Sequence, residues 1–296
     1  MIEESRIVGR YAPSPTGELH MGNLRTAILA WLHARLQGGK FIVRMEDIDL
    51  PRVVSGSADQ ILRDLEWLGI DWDGEVVYQS DRQALYKHAL AQLETVGLVY
   101  PCFCSRKDIR NACSAPQADH SDLSPELIYP GTCSDLSSQQ IEQRKELKSP
   151  AYRLKVNECL ANQCGDFVVK RADELYAYQL VVVVDDLDQG VTHVVRGADL
   201  ASSTARQQYL AGLLKPDREK TSYYHAPLML DLHGKRMAKR DGSMSIAAWR
   251  ESTKLDSAAL VAALLQSLDL IDEASISLDD ALTVLSVDDI ESCLHC

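Results

Sequence analysis

RYAPSPTGELHMGN, residues 10–23, is the stretch on which the architecture turns. Ile7 and Val8 lead into Gly9, and the PSPTG of residues 13–17 then forces a turn. From there Leu24, Ala27, Ile28 and Trp31 recur at helical spacing, and Gly38-Gly39 ends the run. Phe41, Ile42 and Val43 follow as a short buried strand. Strand, turn, helix, strand is the βαβ unit of a parallel sheet, so the fold class is α/β. Such a turn presents backbone N–H groups and the positive end of a helix to a phosphate. His20, at the helix mouth, can donate to a phosphate oxygen, and Gly22, lacking Cβ, leaves room for a purine ring. A tight βα turn with a capping histidine accounts for HMGN equally well on the residues alone.

Downstream, Ser57 reads as the start of a second helix, a capping box with Gln60, whose buried face is Ile61, Leu62, Leu65 and Leu68. Asp81 reads as the start of a third, with Leu85, Ala89, Leu93 and Val96 inward and Gly97 at its end. Residues 101–150 break the rhythm with cysteines, prolines and polar stretches, as an inserted module would. Strands are expected at Tyr152–Val156, Phe167–Lys170, Leu180–Val184 and Val191–Val195, then a helix near Ser202–Leu214. The expected division is a first catalytic half over 1–100, the insert over 101–150, a second half over 151–250 and an acidic helical region over 251–296.

With 46% hydrophobic and 25% charged residues in 296, the composition is that of an ordinary globular chain. No apolar run nears the ~18 residues of a membrane span, and MIEESRIVGR lacks the basic start of a signal peptide. Eight unevenly spaced cysteines do not make a disulfide scaffold, so a reduced, cytoplasmic protein is expected, with no membrane association. The net charge of −12 is concentrated at one end: residues 251–296 hold ten acids and one base. A nucleic-acid partner would therefore contact the first 250 residues.

GKRMAKRDG, residues 234–242, sets four basic side chains on a Gly-flanked loop. Such a loop is usually a solvated face, but here it could neutralise charge developing on a triphosphate. Taken together, PSPTGELHMGN resembles the HIGH signature of class I aminoacyl-tRNA synthetases in its glutamyl form, and RMAKR (236–240) resembles the KMSKS loop. VRMEDID at 43–49, QSDR at 79–82 and VVRGADL at 194–200 are similar to the glutamyl/glutaminyl subclass, in the expected order over most of residues 6–250. The resemblance implies a Rossmann-type class I catalytic domain with an inserted zinc-binding module and a short helical C-terminal region. Full glutamyl-tRNA synthetases continue into a large helical anticodon-binding region, whereas this sequence runs on for a segment of 46 residues, 251–296, that is acidic overall. It thus looks most like the short paralogues that keep the catalytic core and attach glutamate to the queuosine base in the anticodon of tRNA(Asp).

That resemblance assigns ATP contacts to His20, Gly22 and Lys239, with Mg²⁺ accompanying the triphosphate. It assigns L-glutamate to Arg10, Tyr11, Ala12, Pro13, Ser14, Glu46, Tyr178 and Arg196, with arginines on the carboxylates and Glu46 on the ammonium. An arginine fork suits a carboxylate because it bonds both oxygens. Arg10 and Glu46 could instead be a structural ion pair, and Tyr178 could be core. HMGN carries Met for Ile, a volume-conserving change, and RMAKR keeps only the second lysine of its signature, as Lys239. The family's CxC followed by YxxxC is reproduced by Cys102, Cys104, Tyr129 and Cys133, which implies a structural zinc ion with an unusual phenolate ligand. Cys113 and His120 lie between the two halves and are also able ligands. Free buried cysteines are the alternative, and Cys159, Cys164, Cys293 and Cys296 suggest no pairing. No obligate protein partner is implied. The rival readings are a minimal glutamyl-tRNA synthetase charging the 3′ end of tRNA(Glu), and a synthetase-like binding protein without catalysis. A glutaminyl enzyme fits Arg196 less well, and a zinc-dependent nucleic-acid module would need more basic surface.

Overall fold

A computed structural model describes residues 7–113, 128–229, 246–253 and 256–295. In chain order the elements are β1 (Val8–Tyr11), α1 (Met21–Arg35), β2 (Lys40–Met45), α2 (Ser57–Leu68), β3 (Val77–Tyr78) and α3 (Gln83–Thr95). Next come β4 (Val99–Cys102), α4 (Arg106–Cys113), α5 (Ser138–Lys145), β5 (Ala151–Leu154), α6 (Glu158–Ala161) and β6 (Phe167–Lys170). Then follow α7 (Tyr178–Asp188), β7 (His193–Gly197), α8 (Thr204–Leu214), β8 (Ser222–Ala226), α9 (Ile246–Thr253), α10 (Ser257–Gln266), α11 (Leu278–Val284) and α12 (Val287–Ser292). Two compact units result.

The first unit comprises the described residues of Met1–Asp81, Gln189–Ser202 and Glu219–Cys296. Its sheet has the order β3-β2-β1-β7-β8, and every pairing is parallel. The sequence-derived βαβ reading of residues 7–45 is therefore the geometry found. Gly9 explains how closely α1 lies on β1, since a Cβ there would sit 2.9 Å from that of Ala34. The predicted face of α1 (Leu24, Ala27, Ile28, Trp31) is buried, and so are Leu29, Leu32 and His33 on the other side. The reason is that α10, α11 and α12 also pack on α1, so burial is nearly all round rather than along one stripe.

Two helix starts differ from expectation. α2 does begin at Ser57, but Gly56 is its N-cap and no side chain caps it. The Ser57 hydroxyl instead donates to the Gly17 carbonyl at 2.8 Å and accepts from the Gly17 N–H at 3.1 Å, so no capping box with Gln60 forms. α3 begins at Gln83, because Asp81 lies in a 3-10 turn over Gln79–Arg82. It buries Tyr86, Ala89, Leu90 and Leu93, leaving the predicted Leu85 and Val96 exposed.

The second unit comprises Arg82–Asp188 and Ser203–Arg218. Here β4, β5 and β6 form an antiparallel sheet. Leu180–Val184, expected as a strand, is the middle of α7. A run of buried valines has no polar face to show a 3.6-residue period, and α7 is covered by α3, α8 and β6. Tyr178, which the sequence also allowed as a core residue, opens this helix and is exposed. Inside this unit Asp185, fully buried, accepts from Arg82 Nε at 2.7 Å and from the Tyr86 hydroxyl. Among the described residues, no helix is long and apolar enough to cross a membrane.

Candidate active site

In the first unit β1 is central: its chain continues to β2 on one side, while β7 and β8 lie on the other. Ligands of open parallel sheets bind at such a switch point, beyond the carboxyl ends of the strands. Arg10 and Tyr11 end β1, Glu46 follows β2, and Arg196 is the penultimate residue of β7. The turn between β1 and α1 is tied down along its length. Glu46 N–H donates to the Pro13 carbonyl at 2.9 Å and Val54 N–H to that of Pro15 at 3.0 Å, while Ser57 holds Gly17. Pro13 is buried, Ala12 half-buried and Ser14 exposed. Tyr11 is buried and its hydroxyl donates to the Asn23 carbonyl. Burial pushes its phenol well above the ordinary range, so it acts only as a neutral group.

His20 is the N-cap of α1: its Nδ1 accepts the Asn23 N–H, and the Asn23 side chain accepts the His20 N–H, a closed capping box. An accepting Nδ1 leaves the proton of the neutral ring on Nε2. Gly22 sits in the first turn of α1, and a Cβ there would lie 3.1 Å from His20 Cε1, so its smallness makes room for the imidazole. The capping reading of HMGN is the one these contacts show, and it stands at a helix N-terminus, where backbone N–H groups favour an anion. Lys239, with the rest of the 234–242 loop, lies outside the described residues.

Arg10 and Arg196 are almost fully buried. Glu46 lies 3.8 Å from Arg44 of β2, the strand it follows, and Arg44, with no exposed surface, donates to the Gln189 side chain at 2.7 Å. Asp47 accepts from the Ser80 N–H at 2.9 Å and hydroxyl at 2.7 Å, which shows how VRMEDID and QSDR are held against one another. Arg196 lies 4.7 Å above the Tyr223 ring and donates from Nε to His225 Nε2 at 3.4 Å. Arg44, Tyr223 and His225 were not singled out from sequence. The one available signal was Tyr223 and His225 alternating in the short run SYYHA. Tyr178 belongs to the second unit, exposed at the start of α7.

The second unit gathers the thiols of Cys102, Cys104 and Cys133 within 4.8 Å of one another. The Tyr129 hydroxyl joins them, 3.3 Å from Cys102 Sγ and 3.7 Å from Cys104 Sγ, and Cys104 and Cys133 sulfurs are also 3.7 Å apart. Tetrahedral ligands held at ~2.3 Å are separated by about 3.7 Å, the separation of Cys104 Sγ from both Cys133 Sγ and the Tyr129 hydroxyl, so the three thiols could hold a metal ion. Arg153 stacks 3.8 Å over the Tyr129 ring and Arg144 reaches Cys133 Sγ, cations that offset a donor set of four potential anions. With no metal, burial raises the Cys104 thiol to about 11. Gly165 (φ +61°) makes the approach of Tyr129 possible, since a Cβ there would meet the Tyr129 nitrogen at 3.0 Å. His120 and the Cys113 side chain lie outside the described residues, as does Cys296.

Charged residues at the carboxyl ends of an open parallel sheet, beside a capped helix mouth, give the first unit the architecture of a ligand-binding α/β domain. Residues 6–271 match the family described as tRNA synthetases class I (E and Q), catalytic domain, and the chain belongs to that family. It is a ligase of the class I aminoacyl-tRNA synthetase type. Among its relatives is a protein of Geobacter sulfurreducens named glutamyl-Q tRNA(Asp) synthetase, 47% identical over 87% of this chain and 83% of its own. A protein of the same name from Nocardia farcinica is 46% identical over 83% of this chain and 80% of its own. The glutamate-tRNA synthetase structure from Elizabethkingia anophelis superposes with a TM-score of 0.78 at 23% identity, covering 96% of this chain. The chain spans 66% of the length of that synthetase.

Proposed function

We propose that the protein activates L-glutamate with ATP and transfers it to queuosine in the anticodon of tRNA(Asp), in the cytoplasm. The observation that carries this is the 47% identity, over most of both chains, to a relative named glutamyl-Q tRNA(Asp) synthetase. In the first step a glutamate carboxylate oxygen attacks the α-phosphorus of ATP. The bond to the β-phosphate oxygen breaks, pyrophosphate leaves, and glutamyl-adenylate remains. A nucleophilic group of queuosine then attacks the acyl carbon and AMP departs with the bonding pair.

Arg10 and Arg196 receive the carboxylates, Glu46 takes the ammonium, and Tyr11, Ala12, Pro13, Ser14 and Tyr178 shape the pocket. His20 donates from Nε2 to a phosphate oxygen, Gly22 admits the adenine, and Lys239 stabilises charge on the departing pyrophosphate. Catalysis on this reading is positioning and electrostatics. Mg²⁺ bound with ATP would neutralise triphosphate charge. Cys102, Cys104, Tyr129 and Cys133 would hold a structural Zn²⁺ with no open coordination position. The spacing of their donor atoms and the two adjacent arginines support that assignment.

The test is charging with labelled glutamate on tRNA(Asp) with and without queuosine, and on tRNA(Glu). Label confined to queuosine-containing tRNA(Asp) is expected. Label on tRNA(Glu) would overturn the proposal in favour of a minimal synthetase.

A further inference from the structure

β7 and β8 pair in parallel with Arg196 opposite His225. The backbone register therefore puts the arginine and the imidazole side by side on one face of the sheet. His225 is held from a second direction. Its N–H donates to the His295 carbonyl at 2.7 Å, His295 N–H donates back at 3.0 Å, and His225 Nδ1 lies 3.2 Å from the same His295 carbonyl. A carbonyl oxygen can only accept, so Nδ1 carries the proton. A guanidinium can only donate, so the Nε2 that meets Arg196 Nε must be the accepting nitrogen. The two contacts demand the same tautomer, and each fixes what the other requires. The Tyr223 ring, two residues before His225 on β8, lies 4.7 Å from the same guanidinium.

We propose that His225 is the positioning residue for Arg196. Locked in its Nδ1–H tautomer by the His295 carbonyl, it accepts the Arg196 Nε–H and aims the Nη1/Nη2 edge at the substrate carboxylate. This rests on the reading of Arg196 as a carboxylate ligand. An arginine side chain has four rotatable bonds, and a bidentate contact is only as strong as the orientation of its fork. A buried neutral acceptor against Nε removes that freedom without competing for the carboxylate, as an acidic partner would. Burial and the adjacent Arg196 charge keep His225 below the ordinary histidine range, in keeping with a neutral acceptor.

Two substitutions separate positioning from folding. His225→Asn keeps a donor near the Nδ1 position but has nothing at Nε2, whereas His225→Gln restores an amide oxygen there. In glutamate-dependent ATP–pyrophosphate exchange with queuosine-containing tRNA(Asp) present, His225→Asn is expected to raise the KM for glutamate about 10-fold. The KM for ATP and kcat should stay within about twofold, and His225→Gln should recover most of the loss. An unchanged glutamate KM in His225→Asn would overturn the proposal. So would equal rises in both KM values in both variants with a lowered melting temperature, since that is the signature of a structural residue. Arg196→Ala, measured alongside, tells the two levels apart. If it raises the glutamate KM and His225→Asn does not, only the positioning role fails. If Arg196→Ala leaves the KM unchanged, the carboxylate assignment itself falls and the positioning role with it.

Discussion

Removing the Ser57 hydroxyl should loosen the turn that leads to the mouth of α1. Ser57 Oγ meets both polar groups of Gly17, the carbonyl at 2.8 Å and the N–H at 3.1 Å, across 40 residues of sequence. Ser57→Ala deletes both bonds, and each net hydrogen bond is worth ~0.5–1.5 kcal/mol. Gly17 is only half-buried, so water will re-solvate part of what is lost and the expected cost sits near 1–2 kcal/mol. Had Ser57 been the capping residue of α2, its partner Gln60 would matter comparably. Gln60 instead bonds Asp64 one turn along at 2.7 Å, a pair worth ~0.2–0.5 kcal/mol. Urea unfolding followed by fluorescence of the tryptophans, with the KM for ATP in pyrophosphate exchange, checks both halves. Ser57→Ala should lose 1–2 kcal/mol, by the bond energies above, and raise the ATP KM, whereas Gln60→Ala should do neither by more than a few tenths. Equal losses in the two variants, or no loss in Ser57→Ala, would refute the reasoning.

Cys104→Ser should lower bound zinc measured by atomic absorption. Gly165→Ala should do so too without touching a ligand, because its Cβ would push on the Tyr129 backbone at 3.0 Å; full zinc occupancy in both would sink the metal assignment. Lys239→Ala should depress glutamate-dependent pyrophosphate exchange while leaving zinc content unchanged, and normal exchange would remove it from the site. Acid should destabilise the fold between pH 7.5 and 5.5. His193 is held below the ordinary histidine value by burial and then by His33, and His225 by burial and then by Arg196. The unfolded chain therefore binds more protons as pH falls through about 6.5, and the native state loses stability in that window; a urea midpoint independent of pH there would contradict this.

How far the sequence could be read depended on whether a residue's structural partner was near it in the chain. The βα turn, the α1 face and the parallel strands on either side of it are local patterns, and all three are found. The Cys102–Cys104 pair stood out in a stretch without periodicity, whereas Tyr129 and Cys133 came only with the family resemblance, because 24 residues separate Cys104 from Tyr129. The Leu180–Val184 run was misread because a helix covered on all sides loses its period. The capping box failed for a related reason: Ser57 had a better partner forty residues away than three. β8 and its His225 escaped notice because five residues with one alternating pair carry little pattern, and their meaning comes from β7 and from residue 295.

The chain order of the first sheet sets a sequence of events during synthesis. β1 needs β7 at its side, with Val8 donating to the Thr192 hydroxyl 184 residues on. The far side of α1 is closed later still, when His33 meets Glu291. At ~5–20 residues per second, β1 and α1 wait on the order of 10–40 seconds on the ribosome for β7. The intervening residues 82–188, already carrying their own sheet and thiol cluster, emerge in that interval. A nascent chain therefore carries Leu24, Ile28, Leu29 and Leu32 uncovered while two of the five strands of its sheet are still untranslated, which makes the β1–α1 segment the one most open to aggregation during synthesis.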